Sequence, residues 1–188
     1  MKNYEETIAN AHKAFVNHVA KITDLGEIKI LDWARPNMRE SSIQYTILQD
    51  RHLAVTGDYY NAIYTWDGRV NFYALAGYNL GYLYSKINCL TICDLHDWDE
   101  DEAVEDLKYH LDNYSGLDND RKEEILESAS HCSDEHEWTE FCRQHSCEVG
   151  DDECSLYSAG NVIPYQVIYH HEGLKLAMAQ IEKMEAKA

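Results

Sequence analysis

The chain has 188 residues, of which 45% are hydrophobic and only two are proline, and its formal net charge at neutral pH is −18. This length is enough to bury most of the apolar surface of one domain, and the hydrophobic content excludes a disordered acidic tail. The charge excludes nucleic acid as a direct partner, because the phosphates would be repelled.

The first half of the chain predicts one helix followed by a small antiparallel sheet. Apolar residues recurring at spacings of three and four predict the helix over residues 4–22. The sheet, over about 27–73, is predicted by the segments GEIKILDWARPN, SSIQYTILQD, RHLAVTGD and NAIYTW. The following stretch, LAGYNLGYLYSKINC, favours a second helix in which Gly77 and Gly81 share a face and allow close packing on the sheet.

The second half of the chain predicts mainly helices. Three acidic helices are expected, with N-caps at Asp97 or Asp99, at Asp118 or Asp120, and at Ser133. The segment SCEVGDDECSLYSAGN is typical of a loop, NVIPYQVIYH of a strand that Pro164 confines to a sheet edge, and HHEGLKLAMAQIEKMEAKA of an amphipathic helix. The pattern therefore predicts an α+β fold, a small antiparallel sheet with packed helices over 1–93 and 155–188, with an acidic helical insertion over 94–154.

The negative charge is confined to one third of the chain. Residues 94–154 contain 22 Asp and Glu against four Lys and Arg, whereas the rest of the chain has 12 acidic and 12 basic residues. The densest stretch, DLHDWDEDEAVED, has eight carboxylates in thirteen residues: Asp94, Asp97, Asp99, Glu100, Asp101, Glu102, Glu105 and Asp106. A neutral body with one acidic segment indicates a surface that binds a basic partner.

Two interpretations of this acidic stretch are open, a solvated helix face and a contact surface. A solvated face ordinarily mixes signs, yet no Lys or Arg occurs over 87–107. Because helical residues rise about 1.5 Å each and duplex DNA has one charge per about 1.7 Å, an acidic helix can approach the charge density of DNA. Trp98 is a candidate aromatic anchor if exposed and a core residue if packed inward, with Trp138, Tyr109 and Tyr114 nearby.

His and Cys residues form two loose clusters that could be metal ligands, buried thiols and surface imidazoles, or disulfides. One contains Cys89, Cys93 and His96; the other contains His131, Cys132, His136, Cys142, His145, Cys147 and Cys154. A structural zinc site needs four converging ligands, and the spacings here are irregular, with no Cys-x-x-Cys pair. Nucleophile-elbow, phosphate-loop and calcium-loop patterns are also absent from the sequence. The sequence therefore predicts no enzymatic role, no bound metal and no cofactor.

Three segments resemble a group of proteins encoded by phages and prophages of Gram-positive bacteria. They are RHLAVTGDYYNAIYTWDG, NLGYLYSK and the closing IPYQVIYHHEGLKLAMAQIE. Some members of that group are anti-CRISPR proteins that act on the type II RNA-guided nuclease, so the resemblance implies a mobile-element origin and that activity. The resemblance assigns no binding role to any residue of this chain. The aromatic residues of the first segment are expected in the core or on a sheet face, with an exposed Tyr59–Tyr60 patch as the alternative.

These observations lead to two functional hypotheses. The first is a non-catalytic inhibitor of a host defence nuclease, whose acidic surface competes for the basic nucleic-acid-binding groove of an RNA-guided nuclease or another nucleic-acid enzyme. The alternative is a small metal-binding module or enzyme of a mobile element that uses the His and Cys cluster. The N-terminal MKNYEETIANAHKAF lacks the pattern of a secretory signal and no apolar run could span a bilayer, so a cytoplasmic location with no membrane partner is expected. A homo-oligomer is compatible with the composition.

Overall fold

The computed structural model of the chain describes residues 4–38, 41–91, 96–149 and 154–187. They divide into two units. The sheet unit is formed by the described residues of Asn3–Leu95 and Ile163–Ala188, and the acidic unit by those of His96–Val162. None of the helices in the described ranges combines the length and the apolar character that crossing a bilayer requires.

The sheet unit is built on a six-stranded antiparallel sheet. Its elements are α1 (Glu5–Ala14), β1 (Val19–Asp24), β2 (Ile28–Ala34), β3 (Ile43–Leu48), β4 (His52–Gly57), β5 (Ala62–Thr65), α2 (Phe72–Ala76), α3 (Leu80–Tyr84), β6 (Ile87–Leu90) and α8 (Tyr165–Glu185). The strands lie side by side in chain order, each antiparallel to the next. This confirms the α+β fold and adds one strand at each end of the predicted sheet.

Helix α8 covers the apolar face of this sheet. The central strand β3 alternates as predicted, with Ile43, Tyr45 and Ile47 buried, and they form one core with Leu174 and Met178 of α8. The helix approaches the sheet closely at Gly173, where a Cβ atom would lie 2.5 Å from the Tyr45 hydroxyl oxygen. That hydroxyl donates a 2.8 Å hydrogen bond to the carbonyl oxygen of His170. A glycine in mid-helix is therefore required by packing at this point.

The predicted helix over 4–22 is wrong beyond its first half. Helix α1 ends at Ala14, and Asn17 takes a left-handed φ of 71°, which asparagine tolerates better than most residues. The chain then enters β1, where Val19 pairs with Ala34 and Ile22 with Leu31. Pairing with β2 outweighs the helical spacing of the β-branched residues.

Two other helix and strand predictions are corrected. The stretch from Leu75 is not one helix: Asn79 accepts a hydrogen bond from the backbone of Tyr82 as the N-cap of α3, and the chain then continues into β6. Neither Gly77 nor Gly81 makes a close approach to the sheet. In the closing segment the predicted strand is helical from Tyr165 onwards, because Pro164 occupies the position before the first turn and favours helix initiation there. The Tyr59–Tyr60 patch is also wrong: both residues are half-buried against Tyr169 and Tyr165, respectively.

His170, in the second turn of α8, is buried within the sheet unit and hydrogen-bonded through both ring nitrogens. Its Nε2 donates to the carbonyl oxygen of Tyr59 at 2.7 Å, and its Nδ1 accepts from the hydroxyl of Tyr64 at 2.9 Å. This pattern fits a neutral imidazole, since a protonated ring would have two donors and no acceptor. Burial lowers the pKa of His170 from 6.5 to about 4, despite opposing hydrogen bonds to the backbone.

Acidification is expected to destabilise the sheet unit through His170. The unfolded chain takes up a proton on this residue below pH 6.5, whereas the folded chain does so only near pH 4. The contribution of neutral His170 to the free energy of unfolding is fully present above pH 6.5. The free energy of unfolding should therefore fall by on the order of 3 kcal/mol as the pH drops from 6.5 to 4. Urea unfolding at pH 7, 5 and 4 measures it, with His170→Gln compared against the exposed control His131→Gln. An unchanged pH dependence in His170→Gln would contradict the assignment.

The acidic unit is helical apart from a short ladder. Its elements are β7 (Asp97–Trp98), α4 (Glu100–Asn113), α5 (Asn119–Ala129), α6 (Glu135–Val149), α7 (Cys154–Tyr157) and β8 (Asn161–Val162). Strands β7 and β8 pair antiparallel, and α4 packs on α5, α5 on α6 and α6 on α7. The core includes Ala103, Leu107 and Leu111 of α4 with Trp138 and Phe141 of α6.

The predicted acidic helices are confirmed, with corrections at their ends. Asp118 caps α5 as expected, accepting a hydrogen bond from the backbone of Arg121 at 2.9 Å. Helix α6 is capped by Asp134 and not by Ser133, which instead donates through its hydroxyl to the Glu137 carboxylate. The predicted loop after it is partly helical, because α6 continues to Val149 and α7 follows the undescribed residues 150–153.

Candidate acidic binding surface

The start of α4 is fixed by the acidic stretch itself. The side chain of Asp99 accepts a 3.0 Å hydrogen bond from the backbone of Glu102. Of the two predicted N-caps, Asp97 and Asp99, it is therefore Asp99 that caps α4. Its backbone N–H donates to the carbonyl oxygen of Gly160 at 2.9 Å. Gly160 has a φ of +80°, and a Cβ atom there would lie 2.6 Å from that of Ala103, so the contact requires glycine.

Asp99→Ala is expected to lower the free energy of unfolding of the acidic unit by about 1 kcal/mol, because the backbone N–H of Glu102 loses its cap. The matched control is Asp97→Ala, which removes the same charge two residues earlier, at an exposed position, and should change stability by less than about 0.5 kcal/mol. Thermal unfolding midpoints measure both. Equal shifts in the two variants would show that the capping bond contributes nothing measurable.

The carboxylates that follow the cap lie on the solvent side of α4. The buried face is defined by Ala103, Leu107 and Leu111, and the helical period places Asp101 and Glu105 opposite it. Of the predicted binding residues, those exposed are Asp97, Glu100, Asp101, Glu105 and Asp106. Asp99 and Glu102 are half-buried, and Asp94 lies outside the described residues. The structure therefore exposes five of the nine predicted residues, and three of them, Asp101, Glu105 and Asp106, lie away from the buried side of α4 and are called here the α4 acidic face.

Most basic residues of the acidic unit contact acids away from this face. The bonded pairs are Arg121 with Glu124 and Glu148, Arg143 with Glu140, and Lys122 with Asp112. Hydrogen bonds from Arg121 lower the pKa of Glu148 to about 2, so this pair is fully ionised at neutral pH. Arg121, Lys122 and Arg143 thus neutralise part of the charge of their own surroundings. None of these three basic residues forms its ion pair with an acid of residues 97–106.

Trp98 does not meet the condition of exposure that an anchor requires. It is half-buried, its Nε1 atom is buried, and its ring packs on Trp138 with the ring centroids 6.1 Å apart. Trp138 is fully buried and donates a 2.8 Å hydrogen bond from Nε1 to the carbonyl oxygen of Leu156. Trp138 is therefore a core residue of the acidic unit and Trp98 packs against that core, so Trp98 is removed from the predicted binding residues as an anchor.

The exposed aromatic residues beside the α4 acidic face are tyrosines. Tyr109 is 63% exposed and Tyr114 is 65% exposed, and their ring centroids lie 6.3 Å apart. Together with Asp106 they line a cleft of about 290 Å³ whose opposite wall includes Leu156 and Ala159. A sequence signal for Tyr109 exists, because it follows the core residue Leu107 by two positions and so lies on another face of the helix.

The predicted His and Cys cluster is dispersed among different surroundings. Cys132 and Cys142 are buried thiols in the core, whereas Cys147 and His136 are exposed. Among the described residues, no three His, Cys, Asp or Glu side chains form a group that could hold a metal ion. Cys89, Cys132 and Cys147 are free thiols, and the Cys142 thiol donates to the carbonyl oxygen of Leu156 at 3.5 Å. Cys93 and the side chain of Cys154 lie outside the described part of the chain.

No family model, curated protein or solved structure matches this chain. Its function is therefore inferred from its own residues. Of the features described above, the α4 acidic face and the neighbouring Tyr109–Tyr114 cleft combine exposure, charge and concave shape within one unit. Exposed aromatic side chains are enriched in protein–protein interfaces, and an acidic surface attracts a basic partner.

Proposed function

We propose that this protein is a non-catalytic inhibitor of a host defence nuclease, and that its α4 acidic face occupies the basic nucleic-acid-binding groove of a type II RNA-guided nuclease. The observation that carries the proposal is the exposure of carboxylates on one rigid helix. Residues 100–106 contain five acids, and at a rise of about 1.5 Å per residue they span about 9 Å of helix axis. Their mean axial spacing, about 2.3 Å per charge, approaches the roughly 1.7 Å of duplex DNA.

The target class is supported by charge complementarity and by the resemblance to phage and prophage proteins. RNA-guided nucleases hold their guide–target heteroduplex in a positively charged channel and read the short target-adjacent motif with basic side chains. An acidic helix that enters this channel would make the contacts normally made by phosphates. Such contacts accelerate encounter and are weakened by salt, because exposed charges are screened over about 10 Å at 0.1 M ionic strength.

The first test is DNA cleavage by a type II RNA-guided nuclease, with and without the protein, at 50 and 200 mM salt. We expect inhibition that weakens steeply between the two conditions. Inhibition that is insensitive to salt would refute the acidic-groove mechanism, although the protein would still be a nuclease inhibitor. Absence of inhibition at both salt concentrations would refute this target class. A salt control with an unrelated neutral inhibitor of the same nuclease separates screening of the contact from effects of salt on cleavage itself.

A further inference from the structure

A cleft at the C-terminal half of α4 is lined by the rings of Tyr109, Tyr114 and His110 and by the Asp106 carboxylate. Asp106, Tyr109 and Tyr114 come from α4 and the residue that ends it, and the buried residues Leu156 and Ala159 form an apolar wall. Tyr109 and Tyr114 are inclined at 67° to each other, so the cleft is bordered by two differently oriented ring faces. Within the described ranges, the hydrogen bond that the Asp106 carboxylate accepts is a long one, 3.4 Å from the backbone N–H of Gly160.

We propose that this cleft binds an arginine side chain of the protein's basic partner. The inference rests on the proposed function, which it deepens by naming the recognised group and the residues that recognise it. The guanidinium group is planar and weakly hydrated, so it stacks on one of the two tyrosine rings and contacts the other at its edge, while its N–H groups donate to the Asp106 carboxylate. The apolar wall contacts the methylene stem of the same side chain.

Arginine fits this site better than lysine for geometric reasons. A lysine ammonium is a compact, strongly hydrated charge that cannot stack or donate two parallel hydrogen bonds to one carboxylate. The neighbouring exposed carboxylates Asp101 and Glu105 attract either cation, so they raise the affinity of both without distinguishing them. The discrimination between arginine and lysine is therefore a property of the cleft, and the general attraction is a property of the α4 acidic face.

The test uses a fluorescein-labelled peptide of alternating glycine and arginine, and its lysine counterpart, in fluorescence anisotropy at low salt. We expect the arginine peptide to bind about fivefold more tightly, as stacking of one cation on exposed rings implies. The double variant Tyr109→Leu, Tyr114→Leu should lose this preference, and Tyr109→Phe, Tyr114→Phe should retain it. The rings are mostly exposed, so both variants are expected to fold, and unfolding midpoints check this.

A second pair of variants separates the cleft from the charge of the helix. Asp106→Asn and Asp101→Asn each remove one exposed carboxylate from α4, but only Asp106 lines the cleft. We expect Asp106→Asn to weaken arginine-peptide binding by at least about fivefold more than Asp101→Asn. Equal affinities of the two peptides for the wild-type protein, or equal losses in the two Asn variants, would overturn the proposal.

The same variants in the cleavage assay distinguish failure of the cleft from failure of the proposed function. If the wild-type protein prefers the arginine peptide and the leucine variant does not, yet no nuclease is inhibited, the cleft is supported and the nuclease target is rejected. If the wild-type protein inhibits and the leucine variant inhibits equally, the cleft is overturned as a partner contact while the inhibitor function is retained.

Discussion

Reversal of Asp101, Glu105 and Asp106 to lysine is expected to weaken nuclease inhibition by about 100-fold at low salt. Each exposed charge contributes up to about 1 kcal/mol to attraction of a basic groove, each reversal also adds repulsion, and about 1.4 kcal/mol corresponds to a factor of ten. The three residues are exposed and none is a helix cap. Asp99 is left in place because its reversal would also remove the cap of α4. The inhibitor concentration that halves cleavage measures the effect.

The matched control reverses Asp120, Glu123 and Glu127 on α5. It makes the same change in net charge within the same unit, also at exposed positions. Asp101 and Asp120 each occupy the second position of a helix, so the unfavourable interaction with the helix dipole is also matched. Inhibition by this control should fall by less than about fivefold, because none of the changed charges belongs to the α4 acidic face. Equal losses in both variants would show that net charge, and not the α4 acidic face, determines inhibition.

Trp138→Ala is expected to lower the free energy of unfolding of the acidic unit by about 3–5 kcal/mol, the largest stability effect predicted for this protein. Trp138 is fully buried, contacts the rings of Trp98 and Phe141, and donates a hydrogen bond to the backbone of Leu156. Its removal leaves a cavity in the core of the acidic unit and takes away one of the hydrogen bonds that the carbonyl oxygen of Leu156 accepts. Urea unfolding followed by circular dichroism measures the loss, and inhibition should fall in parallel because the α4 acidic face requires a folded helix.

Tyr109→Ala serves as the comparison for Trp138→Ala. It also removes a large aromatic side chain from the acidic unit, but one that is 63% exposed, and should change stability by less than about 1 kcal/mol. The pair therefore separates the aromatic residues that stabilise the unit from those available to a partner. Loss of stability by Tyr109→Ala comparable to that by Trp138→Ala would contradict the exposed position of Tyr109.

The acidic helices could be predicted from the sequence because their determinants are local. Asp99 and Asp118 are N-cap residues followed by helical apolar spacing, and each makes the expected bond to the third residue beyond it. The α4 acidic face follows from the same period, since Ala103, Leu107 and Leu111 define one side of the helix and the carboxylates fall mainly on the other.

Features that depend on distant partners could not be predicted in this way. Val19 and Ile22 have helical spacing but lie in a strand, because β2 is available to pair with them. The inward packing of Trp98 depends on Trp138, forty residues later, and the cleft at Tyr109 depends on Leu156 and its neighbours beyond α6. The sequence therefore indicates the acidic stretch and offers Trp98 as its conditional aromatic anchor, whereas the cleft beside Tyr109 depends on the tertiary structure.

The proposed function requires the α4 acidic face and nucleic acid to compete for one groove of the nuclease. The most direct measurement is binding of the labelled protein to guide-loaded nuclease at increasing concentrations of duplex target DNA bearing the target-adjacent motif. Competition predicts that the apparent Kd rises linearly with the concentration of DNA and that no complex contains all three components. A stable complex of protein, nuclease and DNA, with an unchanged Kd, would contradict competition for the groove and place the contact elsewhere on the nuclease.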